Sequence, residues 1–262
     1  MGAMTIRLLS FNIRCSAAQD GPNRWEARRG LVVERIRAFD PDLIGMQECE
    51  DNAQAEFIRA SLPDYGFLGV RRSSNPGPGL EMMPVLYRLA AFDLLDQGVF
   101  WLSKTPDVPG SLDWKAVFPR TVLWQRLRQK PSGFEFVFFN THFDYASPQA
   151  QLRSAELLHQ RMQTIAGGAP CLLTGDFNAS KTSPPYTRLT AGSFLRDAVR
   201  QLGVSGTTFH DFGRQADQPG GPNEIDWILA APQFTPILAS IDRTHPAEVW
   251  PSDHYPVGVV FN

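Results

Sequence analysis

Cysteine is scarce in this sequence, and long apolar runs are absent from it. The 262 residues include three cysteines, Cys15, Cys49 and Cys171, without a Cys-x-x-Cys spacing. An odd number in this arrangement argues against a disulfide framework and against a zinc knuckle. A reducing compartment fits such usage. We therefore expect a cytoplasmic protein in which the three cysteines are packing residues.

No apolar run approaches the roughly 18–20 residues of a membrane span, and no signal peptide is visible. Residues 1–3, which precede Met4, are typical of an expression-tag remnant. A native leader could therefore have been trimmed. We expect a chain without a membrane span that acts as a monomer, either as a soluble enzyme or as a soluble binding module.

Lysine is also rare, because the 25 basic residues are 21 arginines and 4 lysines. The formal net charge of −2 argues against a strong non-specific affinity for nucleic acid, although it is compatible with a local basic groove. Two explanations of the arginine excess stay open. Codon bias is the one we favour, and bidentate recognition of phosphate by guanidinium groups is the other.

The composition is that of a globular protein, with 43% hydrophobic and 20% charged residues, which argues against disorder and coiled coil. Apolar periodicity predicts strand, helix, strand and helix over roughly the first sixty residues, then several strands, a helix over 148–165 and closing strands. The first helix is expected over Trp25–Phe39 with Asn23 as its N-cap, and a short one over 195–201. No linker divides the chain, so we expect one α/β domain over 4–262.

Polar residues stand where the predicted strands end. A single Asp or Asn in such a place is usually a turn residue or a helix cap. Repeated endings of this kind predict a shared rim, because the strands of a sheet deliver their ends to one edge. The residues concerned are Asn12, Gln47, Glu48, Asn140, His142, Asp144, Asp176, Asn178, Asp226, Asp253 and His254.

These residue types suit one kind of chemistry. Carboxylate and amide oxygens are ligands for a hard divalent cation such as Mg²⁺ or Mn²⁺. Histidines can move protons or donate to phosphate oxygens, and a nearby acid can orient them. The sequence contains no G-x-S-x-G, H-E-x-x-H, G-x-x-x-x-G-K-[ST] or G-x-G-x-x-G motif. The pattern therefore favours metal-assisted hydrolysis of a phosphoester.

The motifs, in their order along the chain, resemble those of the endonuclease/exonuclease/phosphatase superfamily. This resemblance implies a four-layer α/β sandwich, with two stacked mixed β-sheets flanked by helices, as in pancreatic deoxyribonuclease. The segments that carry it are Ser10-Phe11-Asn12-Ile13-Arg14, Gly45-Met46-Gln47-Glu48, Val85-Leu86-Tyr87-Arg88, Asn140-Thr141-His142, Leu173-Thr174-Gly175-Asp176-Phe177-Asn178, Ile225-Asp226-Trp227-Ile228 and Ser252-Asp253-His254-Tyr255-Pro256-Val257.

Further segments of this sequence resemble a bacterial branch of the superfamily that is related to its poly(A)-nuclease-like members. These are Phe100-Trp101-Leu102-Ser103, Pro119-Arg120 and Thr208-Phe209-His210-Asp211-Phe212. Asp211 stands where that branch often has glycine. The branch resemblance implies substrate-binding roles for Arg120, as an anion-binding residue at the rim, and for His210.

The resemblance also assigns metal and water roles. It implies that Glu48 is the principal metal ligand, that Asn12 helps to hold the metal or its water, and that Asp253 lies near the metal. It implies that Asp176 positions or deprotonates the attacking water, and that Asn178 contacts the phosphoryl oxygens.

Two histidine–carboxylate pairs are implied in the same way. His254 would contact the scissile phosphate as a base or as a charge stabiliser, with Asp226 fixing its tautomer. His142 would protonate the leaving group. Its orienting acid would be Glu81, although Asp144 could serve His142 instead or could cap the turn before the following helix.

Aromatic residues and the other histidines carry weaker signals. Trp114 and Trp250 lie in predicted loops and are candidates for the substrate wall, whereas Trp101, Trp124 and Trp227 lie in strand-like runs that are typical of the core. His159 and His245 have no partner motif and are interpreted as surface residues.

We thus expect a hydrolase that uses Mg²⁺ or Mn²⁺ and attacks a phosphate ester with water. The favoured hypothesis is an enzyme of the nuclease or phosphodiesterase type, with a nucleic acid or a small phosphoester as its phosphorylated substrate. A phosphatase or diesterase acting on a small phospho-metabolite or a lipid head group is the alternative. A non-catalytic binding module on the same fold is a further one.

Overall fold

A computed structural model describes residues 5–246 and 248–262, so the predicted tag remnant at 1–3 lies outside the described residues. The strands of the first half are β1 Ile6–Asn12, β2 Leu43–Gln47, β3 Cys49–Glu50, β4 Tyr65–Leu68, β5 Glu81–Met82, β6 Val85–Arg88 and β7 Phe92–Trp101. Those of the second half are β8 Thr121–Gln129, β9 Glu135–His142, β10 Cys171–Asp176, β11 Arg196–Asp197, β12 Asp226–Ala230, β13 Pro236–Ile241 and β14 Val257–Phe261. The helices are α1 Trp25–Phe39, α2 Ala53–Ser61, α3 Pro148–Ala166 and α4 Pro184–Thr190.

Two mixed six-stranded sheets form the centre of the molecule. The first has the order β13-β14-β1-β2-β6-β4, and the second has the order β11-β12-β10-β9-β8-β7. In the first sheet β1 lies parallel to β2 and antiparallel to β14. In the second sheet β10 lies parallel to β9 and antiparallel to β12. The two sheets therefore have the same strand directions at their centres, one parallel and one antiparallel neighbour on either side of the central strand. Strands β3 and β5 form a separate antiparallel pair.

Strand alternation explains the layers, because successive side chains point to opposite faces of a sheet. In β1, Ile6 and Leu8 join the core between the two sheets, whereas Leu9 and Phe11 pack with Val32 of α1 on the outer face. On the far side of the second sheet, the outward-facing side chains of β8, β9 and β10 pack against α3. The predicted four-layer α/β sandwich is confirmed.

The space between the sheets changes from apolar to polar along the strands. In β1 the inward face runs Ile6, Leu8, Ser10, Asn12, all of them buried. The inward faces of β9 and β10 change in the same sense and end in His142 and Asp176. The polar strand ends of both sheets consequently meet at one rim.

Asn140 joins the two sheets where the apolar part gives way to the polar part. Its Nδ2 donates to the carbonyl oxygens of Met46, Met83 and Pro84, at 2.6, 3.2 and 3.1 Å. Its Oδ1 accepts from Gln47 Nε2 at 2.8 Å and from Thr174 Oγ1 at 2.9 Å. The sheets approach closely here, because a Cβ at Gly45 would lie 2.0 Å from Thr174 Oγ1. Asn140 therefore fixes the separation of the sheets just below the rim.

Some local predictions were wrong. The segment 195–201 forms the short edge strand β11 and a 3₁₀ turn over Arg200–Leu202, because Asp197 Oδ1 accepts from the backbone N–H groups of Val199 and Arg200. Asn23 does not cap α1, since it lies within a preceding 3₁₀ turn and its Oδ1 accepts from the backbone N–H of Trp250.

His159 was predicted to be a surface residue, but it is buried. It lies on the inner face of α3, is 8% exposed, and packs edge-on against Phe194 at a ring distance of 5.4 Å. Trp101 and Trp227 are buried, as predicted. Within the described part of the chain, no helix has both the length and the apolar character that crossing a membrane requires.

Candidate active site

A cavity of about 660 Å³ opens at the polar rim between the sheets. Its floor is formed by the ends of β2, β9 and β10 and by the segment that precedes β14. Glu48, His142, Asp176 and His254 all line it. Both halves of the chain therefore contribute side chains to one cavity.

Glu48 follows β2 directly and turns into the cavity. Its φ of 58° lies in the left-handed region, which is uncommon for a residue with a side chain and concentrates at functional sites. Its Oε1 accepts from Asn12 Nδ2 at 3.1 Å, and its Oε2 accepts from the backbone N–H of Cys15 at 3.1 Å. Burial alone would raise the pKa of the Glu48 carboxyl. The charges of His142 and Arg14 and the bond from Asn12 outweigh burial and lower that pKa to about 2.

Asp176 and Asn178 follow β10 at the centre of the cavity. Asp176 Oδ2 accepts from Asn12 Nδ2 at 3.0 Å, and Asp176 Oδ1 accepts from the backbone N–H of Asn178 at 2.9 Å. Two imidazoles flank the carboxylate, with His142 Nε2 at 3.4 Å and His254 Nε2 at 3.7 Å from Oδ2. The Asp176 carboxylate therefore lies between the two imidazoles of the site.

His254 forms the closest histidine–carboxylate pair of the site. Its Nδ1 lies 2.8 Å from Asp226 Oδ2, and both residues are buried. Burial would lower the pKa of His254, but the carboxylates of Asp226 and Asp176 raise it to about 10. The imidazole is thus held in its charged form, with the Nε2 proton on the side of Asp176 Oδ2.

His142 has a looser arrangement. Its Nε2 lies 3.0 Å from Asn178 Nδ2, and its Nδ1 lies 3.4 Å from Glu81 Oε1. Glu81 is bonded more closely to Arg72, at 2.8 Å. Asp144 does not face His142, because its side chain accepts from the backbone N–H groups of Val117, Ala146 and Ser147 and so caps the turn before α3.

Arg120 closes one end of the cavity beside Arg72, and both guanidinium groups are buried. Arg72 NH1 bonds Glu81, and its guanidinium also stacks over the Phe118 ring at 4.4 Å. Arg120 NH1 reaches the same Glu81 oxygen at 3.5 Å. Its buried Nε has no acceptor among the described residues.

Arg14 is a site residue that the sequence analysis quoted in a motif without giving it a role. Its guanidinium makes two bonds of 3.1 Å to Asp20 and lies 3.6 Å from Asp253 and 3.9 Å from Glu48. Burial raises the pKa of the Asp253 carboxyl, which a nearby cation would oppose. Only the tertiary structure could reveal Arg14 as a site residue, because Glu48 and Asp253 lie on two segments that are distant from it in the chain.

The donor set suits a hard divalent cation. Two groups among the described residues bring three possible ligand atoms within 4.8 Å of one another, namely Glu48 with His142 and Asp176, and Asp176 with Asp226 and His254. Glu48 of the first group is the better candidate ligand, since in the second group the charged His254 and its partner Asp226 already neutralise each other. The ionised Glu48 provides the hard oxygen donors that Mg²⁺ and Mn²⁺ prefer.

Two predicted substrate-binding residues lie away from the cavity. His210 is 1% exposed and stacks on Tyr255 at a ring distance of 3.9 Å, behind Asp253. Trp114 lines a second cavity, of about 850 Å³, beside α3. Trp250 packs between His210 and His245. The structure brings the predicted catalytic and metal-binding residues together, but it places these aromatic side chains elsewhere.

The buried His210 predicts a dependence of stability on pH. Burial, with a contribution from the charge of His254, lowers the pKa of His210 to about 3. Because this value lies below the ordinary 6.5, the unfolded chain takes up a proton below pH 6.5 that the folded chain does not. The free energy of unfolding should then fall as the pH falls from 6.5 toward 3, by about 2 kcal/mol at pH 4.5 from this residue alone.

Urea unfolding of the wild-type protein and of His210→Phe between pH 7 and 4.5 measures this contribution. Phenylalanine keeps the ring stack but cannot titrate, so the wild type should lose more stability than the variant. Equal losses in the two proteins would show that His210 is not buried in its neutral form.

A two-sheet sandwich with carboxylates and histidine–carboxylate pairs at one rim defines the class of hydrolases that act on phosphoester bonds. The chain belongs to the endonuclease/exonuclease/phosphatase family, whose model matches residues 9–254. Similarity to nocturnin from Mus musculus supports the relation of this chain to the poly(A)-nuclease-like members. The two sequences are 24% identical over 96% of this chain and 63% of nocturnin.

Solved structures agree with this assignment. An endonuclease/exonuclease/phosphatase from Bacteroides vulgatus is 32% identical, covers 99% of both chains and superposes with a TM-score of 0.90. A mannosyl-6-phosphatase from Bacteroides thetaiotaomicron is 31% identical, covers 98% of this chain and 99% of its own, and superposes with a TM-score of 0.89. The chain spans about three fifths of the length of the first curated relatives that it matches.

Proposed function

We propose that this chain hydrolyses a phosphate ester by attack of water, with Mg²⁺ or Mn²⁺ as its cofactor. The observation that carries the proposal is the position of Asp176. Its carboxylate lies between the imidazoles of His142 and His254 and shares the Asn12 amide with Glu48. Such a cluster can accept a proton from water while the charged His254 and the bound cation balance the charge of a phosphate.

Each side chain takes one role in this proposal. Glu48 would hold the cation, with Asn12 and Asp253 beside it, and the bound ion would supply positive charge to the phosphate. Asp176 would orient the water and accept its proton. His254, kept charged by Asp226, would donate from Nε2 to a phosphoryl oxygen, which favours the charge-stabilising role over that of a base.

The other side of the phosphate would belong to His142 and Asn178. Asn178 Nδ2 donates toward His142 Nε2, which leaves Nδ1 to carry the proton on the side of Glu81. Once a substrate displaces Asn178 from this contact, His142 Nε2 would be free to take up a proton from solvent and pass it to the leaving oxygen, and Asn178 could donate to the phosphoryl group. This assignment uses both histidines and both of their carboxylate partners.

Removal of divalent ions tests the proposal. The chelator-treated protein should not hydrolyse p-nitrophenyl phosphate or bis-p-nitrophenyl phosphate, and added Mn²⁺ or Mg²⁺ should restore turnover. A chelator-treated sample dialysed against Ca²⁺ controls for simple stabilisation by a cation. Full activity in the chelated protein would contradict the metal requirement, and no hydrolysis of any phosphoester with either ion would favour the binding-module alternative.

We further propose that the substrate is a small phosphate ester rather than a nucleic acid strand. The cavity volume of about 660 Å³ lies in the range of small-molecule sites. The buried Arg72 and Arg120, with the half-buried Phe118, close one end of it, which suits a compact ligand better than a continuing chain. The similarity to a mannosyl-6-phosphatase makes a sugar phosphate the first compound to try.

Competing substrates distinguish this proposal from the nuclease alternative, which the similarity to the 3'-5'-exoribonuclease subunit Ccr4 from Emericella nidulans supports. Mannose 6-phosphate and other sugar phosphates should be hydrolysed with a higher kcat/KM than single-stranded oligonucleotides. Oligonucleotide binding that weakens steeply with salt, together with rapid cleavage, would favour the nuclease.

A further inference from the structure

Arg28 of α1 is a buried cation that is bonded to backbone oxygens alone. Its side chain is 0% exposed, and no carboxylate lies within ion-pair distance of it among the described residues. Burial lowers the pKa of Arg28 to about 10, so that the guanidinium remains charged at neutral pH. It donates to the carbonyl oxygens of Asn23 at 2.9 Å, Ile13, Pro251 at 3.1 Å, Arg14 at 2.7 Å and Cys15 at 3.4 Å.

Two of these carbonyls belong to peptide groups that also bind the site. In the peptide between Arg14 and Cys15, the carbonyl oxygen accepts from Arg28, and the N–H donates to Glu48 Oε2 at 3.1 Å. In the peptide between Ile13 and Arg14, the carbonyl oxygen accepts from Arg28, and the N–H donates to Asn12 Oδ1 at 3.0 Å. One buried guanidinium thus orients the two N–H groups that hold the side chains of Glu48 and Asn12.

The contact of Arg28 with these peptide groups is electrostatic, because each peptide between Arg14 and its neighbour has a charged or polar partner at both ends. A peptide group has a dipole of about 3.5 D, with its positive end at the N–H. The cation at the carbonyl oxygen and the Glu48 carboxylate at the N–H both polarise that dipole in the same sense, and bonds in such a chain strengthen one another. Arg28 also holds the carbonyl of Pro251, next to the segment that carries Asp253 and His254.

We propose that Arg28 is a positioning residue for the divalent-cation site, acting on Glu48 and Asn12 through the two peptide groups on either side of the Arg14 α-carbon. The inference rests on the proposed function, because it assumes that Glu48 holds the cation. Loss of Arg28 should weaken cation binding, since Glu48 would keep its charge but lose the fixed N–H that orients it. Second-layer contacts of this kind typically change metal affinity by about 10–100-fold.

The test is calorimetric titration of the chelator-treated protein with Mn²⁺ alone. Arg28→Lys keeps the charge but cannot reach all five carbonyl oxygens, so the affinity for Mn²⁺ should fall about tenfold. Arg28→Met also removes the charge, so the affinity for Mn²⁺ should fall further than in Arg28→Lys. Circular dichroism and thermal melting select the variants that remain folded, and Arg28→Lys is the one to use if Arg28→Met does not fold.

Arg126 provides the matched control. Its NH2 also donates to backbone carbonyls, those of Ile165 at 2.7 Å and Ala166 at 3.2 Å, but at the end of α3. Arg126→Lys and Arg126→Met should bind Mn²⁺ like the wild type, even if they melt at a lower temperature. Wild-type affinity in a folded Arg28→Lys, or equal losses in the Arg126 variants, would overturn the inference. A wild-type protein that binds no Mn²⁺ would instead refute the proposed function.

Discussion

Replacing Asp176 with asparagine is expected to lower kcat by about 10³-fold or more, within the range of effects seen when a positioned proton acceptor is removed. Asparagine keeps the shape of the side chain and can still accept from the backbone N–H of Asn178, which now lies 2.9 Å from Oδ1. It cannot accept a proton from water, and it removes the negative charge that lies between His142 and His254. The measurement is steady-state turnover of p-nitrophenyl phosphate with Mn²⁺.

Asp107→Asn is the control for this experiment. Asp107 pairs with Arg161 at 2.6 Å on the surface, with its side chain largely exposed, so its loss should leave turnover unchanged. Near-ultraviolet circular dichroism should be the same for both variants and the wild type. Near-normal turnover in Asp176→Asn would contradict the role of Asp176 as the group that prepares the water.

Asp226→Asn is expected to lower kcat by about 10²–10⁴-fold, because it removes the charge partner and the tautomer control of His254. Asp226 Oδ2 lies 2.8 Å from His254 Nδ1 and is the foremost reason that the pKa of this buried histidine is raised to about 10. Without that carboxylate, burial should shift the pKa of His254 downward. The activity of the variant should consequently decline with rising pH earlier than that of the wild type.

A double-mutant cycle shows whether Asp226 acts through His254. If it does, Asp226→Asn combined with His254→Gln should lose no more activity than His254→Gln alone. Additive losses would mean that Asp226 has a separate role.

Stability provides an independent readout of the same pair. The folded pKa of His254, about 10, lies above its ordinary 6.5. Its contribution to stability is therefore fully present below pH 6.5 and is lost as the pH rises toward 10. The difference in unfolding free energy between the wild type and Asp226→Asn should narrow over that range.

The polar strand ends were the most predictable part of the site. An alternating strand that finishes in Asn12, His142 or Asp176 places its last polar residue on the same face as the buried apolar ones, so a shared rim follows from local pattern alone. The roles of Arg14, Arg28 and Arg72 could not be predicted in this way, since an arginine in a loop or on an amphipathic helix is usually exposed. The importance of Arg14 and Arg28 comes from partners that lie far away in the chain, and that of Arg72 comes from its burial beside Glu81.

Errors in the sequence interpretation share a physical cause. The 195–201 segment has helix-like spacing of Leu195, Ala198 and Val199, but backbone pairing with β12 and the caps made by Asp197 override it. His210 and Trp114 lie close in sequence to site segments. The pairing of Phe209 with His254 turns the His210 side chain toward Tyr255, and the loop around Trp114 turns that side chain toward the second cavity. Single-sequence patterns do not encode such turns.

The pairing of the chain's two ends has a consequence for how the protein is made. Asn12 Nδ2 lies 3.4 Å from His254 Nε2, although 242 positions separate these residues, and β14 pairs on one side with β1 and on the other with β13. Contacts of such long range form late and slow folding. During synthesis, β1 must wait with an unpaired edge until residues 257–261 have left the ribosome. The residues of the site therefore cannot come together before that point, and chaperones that cover exposed strand edges should be needed most in that interval.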